Sequence, residues 1–320
     1  MVPVFLKEIL QFLNIETAPY EELHSLSFSG VSSIEHAEDN QVSFWNEYQL
    51  PLHLLKNLET GKNRVGLLFV KDTFGEPGKF LLPNVKVVVP VENPYHAMVQ
   101  FIHQFVEKNT HWEKPEVGEG TVVGPGCVLM DGVKIGKNCI LEANVTLYPN
   151  VVIGDNCIFQ AGAVVGSRGF GFYMHQGQRC MVPHIAGVRI GSHCSFGANM
   201  VVAAGFIYPT TIGNNCHFDS MVQIGHNCIL GNNIFMASQC ALGGTTTVKD
   251  NAVFAGAAKT AGHLTVGKNA VVAAKAGVTK SIPDGKTYAG FPAVDIELWR
   301  KITVQQRILA RKKEKLHDEI

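Results

Sequence analysis

No run of about 18 apolar residues occurs anywhere in the 320 residues, so no segment reads as a membrane-spanning helix. Net charge is missing as well. Twenty-seven basic residues balance 27 acidic ones, which excludes the overall basic field that draws a protein onto nucleic acid or anionic lipid. Any charged partner has to meet a local patch. There are eight cysteines but no CxxC pair, so neither a zinc ribbon nor a thiol redox motif is readable. At the N-terminus, Lys7 and Glu8 interrupt the apolar series Val4, Phe5, Ile9, Leu10, Leu13 and Ile15. That spacing is an amphipathic helix and not the uncharged core of a signal peptide, so the expected location is the cytoplasm. With 46% hydrophobic and 17% charged residues, the composition is that of a folded chain with room for about two domains.

Glycine, in contrast, is plentiful at 32 residues, and it is placed with regularity. From Val117 a large apolar residue returns at every sixth position: Val123, Leu129, Ile135, Leu141, Leu147, Ile153, Phe159 and Val165. The period resumes at Ile190, Phe196 and Val202, slips by four residues around Phe206-Ile207-Tyr208-Pro209, and runs on from Ile212 to Val278. Only Thr260 in that series is polar. Glycine commonly follows the large residue, as at Gly136, Gly154 and Gly225. A six-residue unit with one inward side chain and one turn describes one side of a coil, so three units make a rung of a parallel β-helix. Successive rungs then lie about 4.8 Å apart. Seven of the eight cysteines stand four residues after the large position (Cys127, Cys139, Cys157, Cys194, Cys216, Cys228 and Cys240), where they read as small packing residues; Cys180 falls in a loop.

The expected fold is therefore mainly β, with three regions. Residues 1–112 lack the period and mix helical stretches (2–15 and 96–106) with strands VGLLFV (65–70) and VKVVVP (85–90), as in a small α/β domain. Residues 113–290 form the solenoid, interrupted by a Gly-rich loop over 166–187. Residues 291–320 read as a helical extension with a sparse apolar stripe (Leu298, Ile302, Leu309, Leu316) and many basic residues.

Within the solenoid, His226 in SMVQIGHNCIL stands two residues after the inward Ile224 and two before the small Cys228. It should point away from the coil axis and be available for chemistry. His263 follows 37 residues later, two rungs plus one residue, which places the two rings about 10 Å apart along the axis. That gap suits rings bracketing a substrate and is too wide for a shared metal ion. Asp219 precedes His226 by one side of the coil, and a carboxylate in reach would orient an imidazole acting as general base. By spacing alone most of the 13 histidines are surface or turn residues, and His184, His193 and His217 are placed in that class.

Several motifs occur in a specific order: an α/β region, QIGHN in a hexapeptide solenoid, the GSRGFGF loop (Gly166 to Phe172), Gly262-His263, Gly290-Phe291-Pro292 and a helical tail. Together they resemble the UDP-3-O-acylglucosamine N-acyltransferases of lipid A biosynthesis. The resemblance implies a left-handed parallel β-helix, a homotrimer, and active sites between neighbouring solenoids. It implies an (R)-3-hydroxyacyl donor carried on the phosphopantetheine of acyl carrier protein, a UDP-linked 3-O-acylated glucosamine acceptor, and no metal or further cofactor. Carried onto this sequence, it makes His226 the general base and Asp219 its supporting carboxylate. His263, Ser220 and Gln223 fall among substrate or carrier-arm contacts, and Gly244 falls where a backbone N–H holds the developing oxyanion. Phe44, Asn46 and Tyr48 supply the residue types of the family's uridine platform, but in a compressed spacing (SFWNEYQ), two residues apart where the family has three. The basic tail, by composition a solvated face, becomes a guide for an acidic carrier protein.

Two departures stand out. Ala203-Ala204-Gly205 replaces the family's Asp-Arg-Gly, and Ser220 replaces an asparagine. They leave room for a divergent acyltransferase acting on another nucleotide sugar, or for a non-catalytic scaffold. The related O-acyltransferases lack a leading domain of this size. A carbonic anhydrase on such a solenoid needs closely paired histidines, and no HxxxxH occurs here.

Overall fold

The computed structural model describes residues 2–47, 50–74, 82–108, 110, 113–290 and 301–308. Its N-terminal part is built on a four-stranded parallel sheet in the order Gly30–Val31, Gln41–Phe44, Val65–Lys71, Val85–Val91. Val65 to Val70 are all buried, which explains their unbroken apolar run: a parallel strand covered on both faces has no polar side to show. Gly66 is required there, because a Cβ would meet the backbone oxygens of Asp39 and Gln41 at 2.7 and 2.9 Å. The first helix is shorter than the pattern predicts, Leu6–Phe12, because Val4–Phe5 pairs as a strand with Ser27–Phe28. The helix Pro94–Phe101 continues through a π turn, Ile102–Val106.

From Glu116 the chain winds into a parallel β-solenoid of three sheets with eight, nine and eight strands. Strands of one face pair with those one coil away, for example Ile140 with Ile158 on the second face and Gln223 with Ala241 on the third. The large residues of the six-residue period fill the lumen; Phe159 stacks on Phe196 at 4.4 Å, and Phe218 continues the column at 5.2 Å. At the open first coil, Val117 and Val123 stay exposed because no coil precedes them. Thr260, the polar exception, is buried and satisfied: its hydroxyl meets Gly243 N–H and the hydroxyl of Thr246.

The cysteines do more than fill space. Buried thiols donate to a carbonyl of the next coil, as from Cys157 to Gly191 at 3.2 Å, Cys216 to Gly231 at 3.3 Å and Cys228 to Gly243 at 3.3 Å. Burial pushes the Cys228 thiol up to about 11, so it stays protonated and unreactive at neutral pH. All eight cysteines are free.

Corners turn through a residue with positive φ, most often asparagine, which tolerates that conformation better than residues with larger or branched side chains. Two segments leave the solenoid at the corner between the third and first faces. One is 168–187, carrying the hairpin Phe172–His175 with Gln178–Met181; the other is 204–209. Both fold onto the N-terminal part: Val182, Phe206 and Ile207 join one hydrophobic cluster with Phe28, Phe69 and Phe101. His96 stacks on His175 at 3.6 Å and bonds the Tyr173 hydroxyl at 2.8 Å. Ala203 and Ala204, standing where the resembled family has a charged pair, are buried beside this junction.

None of the described helices is long and apolar enough to cross a membrane. Residues 301–308 are helical. The rest of the basic extension, with Arg300 and Arg311 to Lys315, lies outside the described residues, as do Phe291 and Pro292.

Candidate active site

His226 sits at the corner between the third and first faces, on the short turn from Ile224 to Ile229. It is half-buried and points out of the lumen, as its place in the repeat requires. The next residue decides its chemistry. Asn227, 5% exposed, uses its whole amide: Nδ2 donates to the Tyr208 carbonyl at 2.8 Å, and Oδ1 accepts the Phe206 N–H at 3.1 Å. A carbonyl can only accept and an N–H can only donate, so the amide orientation is fixed. Since Oδ1 is the acceptor, the His226 Nδ1 lying 3.1 Å from it must be the donor. Neutral His226 is therefore the Nδ1–H tautomer, and Nε2 carries the free lone pair.

That lone pair lies over Gly244, one coil further on. A Cβ at Gly244 would come within 2.5 Å of His226 Nε2, so only glycine leaves room for the ring. Gly262 follows in the next coil, also without a side chain. At the corner between the first and second faces, the equivalent backbone N–H groups are capped by the next coil's side chain: Lys137 N–H by Asp155 Oδ1 at 2.7 Å, Asn214 by Asn232 at 2.8 Å, and Asn232 by Asp250 at 2.8 Å. With glycines at 244 and 262 no such acceptor exists, and the Gly244 N–H has no partner among the described residues. A ring nitrogen and an unpaired backbone donor thus lie at one glycine-lined corner. The neighbouring Thr245 holds φ 62, the one β-branched residue among the described non-glycine positive-φ positions. Such strain is of the kind that functional corners carry.

The long insertion closes over this corner. Its Gly169 is buried, and a Cβ there would approach both His184 Nε2 and His226 Cβ at 2.6 Å. His184 packs against His226 with ring centroids 4.8 Å apart, and its Nδ1 is buried without a partner. Burial, then the neighbouring His226, lowers His184 to about 4. Spacing alone places His184 among ordinary surface or turn histidines, because an insertion off the repeat has no register to read. Asn227 was visible in QIGHN, and its role rests on bonds to Phe206 and Tyr208 that only the folded insertion supplies.

The other expected site residues are more dispersed. Asp219 is exposed at the preceding corner, where its Oδ1 accepts the Ser220 N–H at 2.7 Å; no bond or ion pair joins it to His226 among the described residues. Ser220 shares that corner, and its carbonyl accepts the Ser238 hydroxyl. Gln223 is exposed on the outer side of the third face. His263 is exposed, and its φ of 60 places it in the column of Asn227 and Thr245, one position beyond that of His226. Two rungs separate it from the His226 coil, about 10 Å by strand spacing.

Two cavities adjoin the site. One of about 260 Å³ is lined by Phe44, Trp45, Asn46, Phe206 and Tyr208, and so touches Asn227 through its bonded insertion. Phe44 and Asn46 are thereby brought together; Tyr48 lies outside the described residues. A larger one, about 560 Å³, lies between Val31, Val106 and Glu107 on one side and Tyr148, Arg168 and His184 on the other. No group of three or more potential metal ligands occurs among the described residues.

Family models for the bacterial transferase hexapeptide (six repeats) match residues 114–148 and 138–167, and a model for the hexapeptide repeat of succinyl-transferase matches 187–219. These stretches of the chain carry hexapeptide repeats. The resemblance read from its motifs is borne out. A UDP-3-O-acylglucosamine N-acyltransferase of Hydrogenovibrio crunogenus is 41% identical over 194 residues, 61% of this chain and 56% of that protein. Proteins of the same name from Methylobacillus flagellatus and Paraburkholderia phymatum are 52% identical over 107 residues and 43% over 169, covering 33% and 50% of this chain and 31% and 46% of theirs. The chain thus spans little more than half the length of the first of these curated relatives, and less of the others. Among solved structures, the Francisella novicida UDP-N-acetylglucosamine acyltransferase is 26% identical with a TM-score of 0.52, covering 59% of this chain and 70% of that one. LpxA from Acinetobacter baumannii, at 18% identity and a TM-score of 0.51 over 59% of this chain and 73% of that one, shares the fold.

Proposed function

We propose that this chain is an acyltransferase of lipid A biosynthesis. It moves an (R)-3-hydroxyacyl group from the thioester of acyl carrier protein to the 2-amino group of a UDP-linked, 3-O-acylated glucosamine. The observation that carries this reading is the bare Nε2 of His226, held over a glycine whose N–H is unpaired. The amine attacks the thioester carbonyl while Nε2 takes its proton. Negative charge then gathers on the former carbonyl oxygen, and the Gly244 N–H is available to it. Collapse expels the phosphopantetheine thiolate, which recovers the proton from the His226 imidazolium. The thioester supplies the leaving group, so no covalent enzyme intermediate is needed.

The pocket of Phe44, Asn46, Phe206 and Tyr208 suits a nucleobase, offering ring faces and one amide. Ser220, Gln223 and His263 serve substrate or carrier-arm contacts in this reading, and Asp219, which makes no bond to His226 among the described residues, is kept as the carboxylate expected to support it. Their separation from His226 within one chain fits a cleft completed by a neighbouring copy. An outward row on the second face supports a homotrimer: Val122, Ile140, Ile158, Phe235, Val253 and Val271 are large, apolar and exposed in a single chain. Lys301 and Arg307, on the described part of the tail, would attract an acidic carrier protein.

The test is hydroxyacyl transfer from acyl carrier protein to UDP-3-O-acylglucosamine by the wild type and by His226→Ala. The substitution is expected to lower kcat by roughly 10²–10⁴. An active wild type with an equally active His226→Ala would overturn the mechanism, and a wild type inert with every acyl length would favour a scaffold.

A further inference from the structure

The acid–base reading of His226 leaves a second imidazole unexplained. His184 arrives from the long insertion, packs at 4.8 Å and 57° against His226, and keeps a buried nitrogen without a partner. As mere packing this is wasteful, since leucine or phenylalanine would fill the space without an orphaned polar atom. We propose that His184 is a positioning residue for His226: its ring lies against the catalytic imidazole and supports it when it takes up the substrate proton. The inference rests on the acyltransfer reading for its consequence in rate, but its structural content is independent of the substrate.

Two adjacent imidazoles can divide an acid–base task only if their surroundings differ. They do. His226 Nδ1–H is anchored to Asn227 Oδ1 and its Nε2 lies against Gly244. His184 Nδ1 is buried without a hydrogen-bond partner, and burial, then the neighbouring His226, lower its titration to about 4, against an opposing backbone hydrogen bond at Val182 and with a smaller lowering from Arg168. Besides His226 from the corner and Arg168 from the insertion, Glu107 and Tyr148 line the cavity that His184 borders. When His226 becomes imidazolium, a neutral ring within about 6 Å attracts it as aromatic faces attract cations. This supplies within the chain part of what a carboxylate would give, and Asp219 makes no bond to His226 here. The geometry also fixes the ring's angle, since Gly169 closes over both rings.

Two substitutions separate this role from packing. His184→Leu keeps the apolar volume and removes the ring, whereas His184→Phe keeps a neutral ring. In the transfer assay with the full chain, His184→Leu should lower kcat roughly ten-fold, with KM for both substrates held within about two-fold, and His184→Phe should recover most of the rate. The His226 ring, followed by NMR of ¹³Cε1-histidine-labelled protein, should lose its proton at lower pH in His184→Leu than in the wild type or His184→Phe. Wild-type kcat in His184→Leu, a His184→Phe as slow as His184→Leu, or one NMR titration common to all three would overturn the proposal. The NMR measurement needs no substrate, so a wild type without transfer activity would sink the proposed function while His184 is still decided.

Discussion

The two corners that flank the first face follow one backbone pattern and come to opposite ends. Between the first and second faces, Asn214, Asn232 and Asp250 cap each other's turns coil by coil, and Asn215, Asn233 and Asn251 bond side chain to side chain at 2.9 and 3.0 Å. There, these polar groups are spent on neighbours in adjacent coils. Between the third and first faces the ladder stops: glycines stand at 244 and 262, two insertions emerge, and among the described residues the His226 ring bonds only Asn227. The solenoid can leave a donor and a lone pair unspent at one corner because the coils themselves are held by lumen packing and by sheet hydrogen bonds that run past it. In the proposed mechanism, reactivity comes from omission of side chains at positions where the fold ordinarily closes itself.

The largest expected break in this contrast, after loss of the imidazole itself, is Gly244→Ala. Its Cβ would lie 2.5 Å from His226 Nε2, so the ring has to move. Displacement of about 1 Å costs roughly 10² in kcat, with stability changed far less. At Gly256, a comparable turn position where a Cβ meets only the Ser238 carbonyl at 3.9 Å, Gly256→Ala should leave the transfer rate near wild type. Parallel kinetics of the two variants check this.

A smaller effect on rate and a larger one on stability is expected from Asn227→Ala. It removes three bonds in a buried setting and frees the His226 tautomer, so kcat should fall about ten-fold and stability by roughly 3 kcal/mol at about 1 kcal/mol per bond. Asn233→Ala removes two bonds from the exposed ladder and should cost about 1–2 kcal/mol while leaving kcat alone. Urea unfolding together with steady-state rates separates them.

The subtlest expectation concerns pH. His184 is lowered from an ordinary 6.5 to about 4 when folded, so between those values the unfolded chain binds a proton that the folded chain refuses. Its contribution to stability is therefore full above about pH 6.5 and lost as pH falls toward 4. Urea midpoints should drop across that window in the wild type, and His184→Phe should flatten the drop.

Much of the solenoid was legible because its period is local and strict. Ile224 and Cys228 bracket His226, so its outward direction followed from counting, and the cysteines were recognisable as lumen packing before their thiol bonds were seen. Thr260 looked like a flaw in the pattern, yet it pairs with Thr246 inside the lumen, a compensation one coil away that no single rung displays. The N-terminal strands read well where burial is two-sided, as over Val65–Lys71, and the first helix read too long because a β-pair with Ser27–Phe28 claimed Val4–Phe5.

The sequence by itself determined the coil, the lumen and the corner at which His226 stands, because a six-residue repeat with one inward side chain has a single register that buries it. Tertiary structure alone decided the company His226 keeps. The insertions break the period, so their paths depend on packing against Phe28, Phe69 and Phe101 rather than on spacing. That packing brings Tyr208 and Phe206 to Asn227, fixes the tautomer of His226, and lays His184 against it.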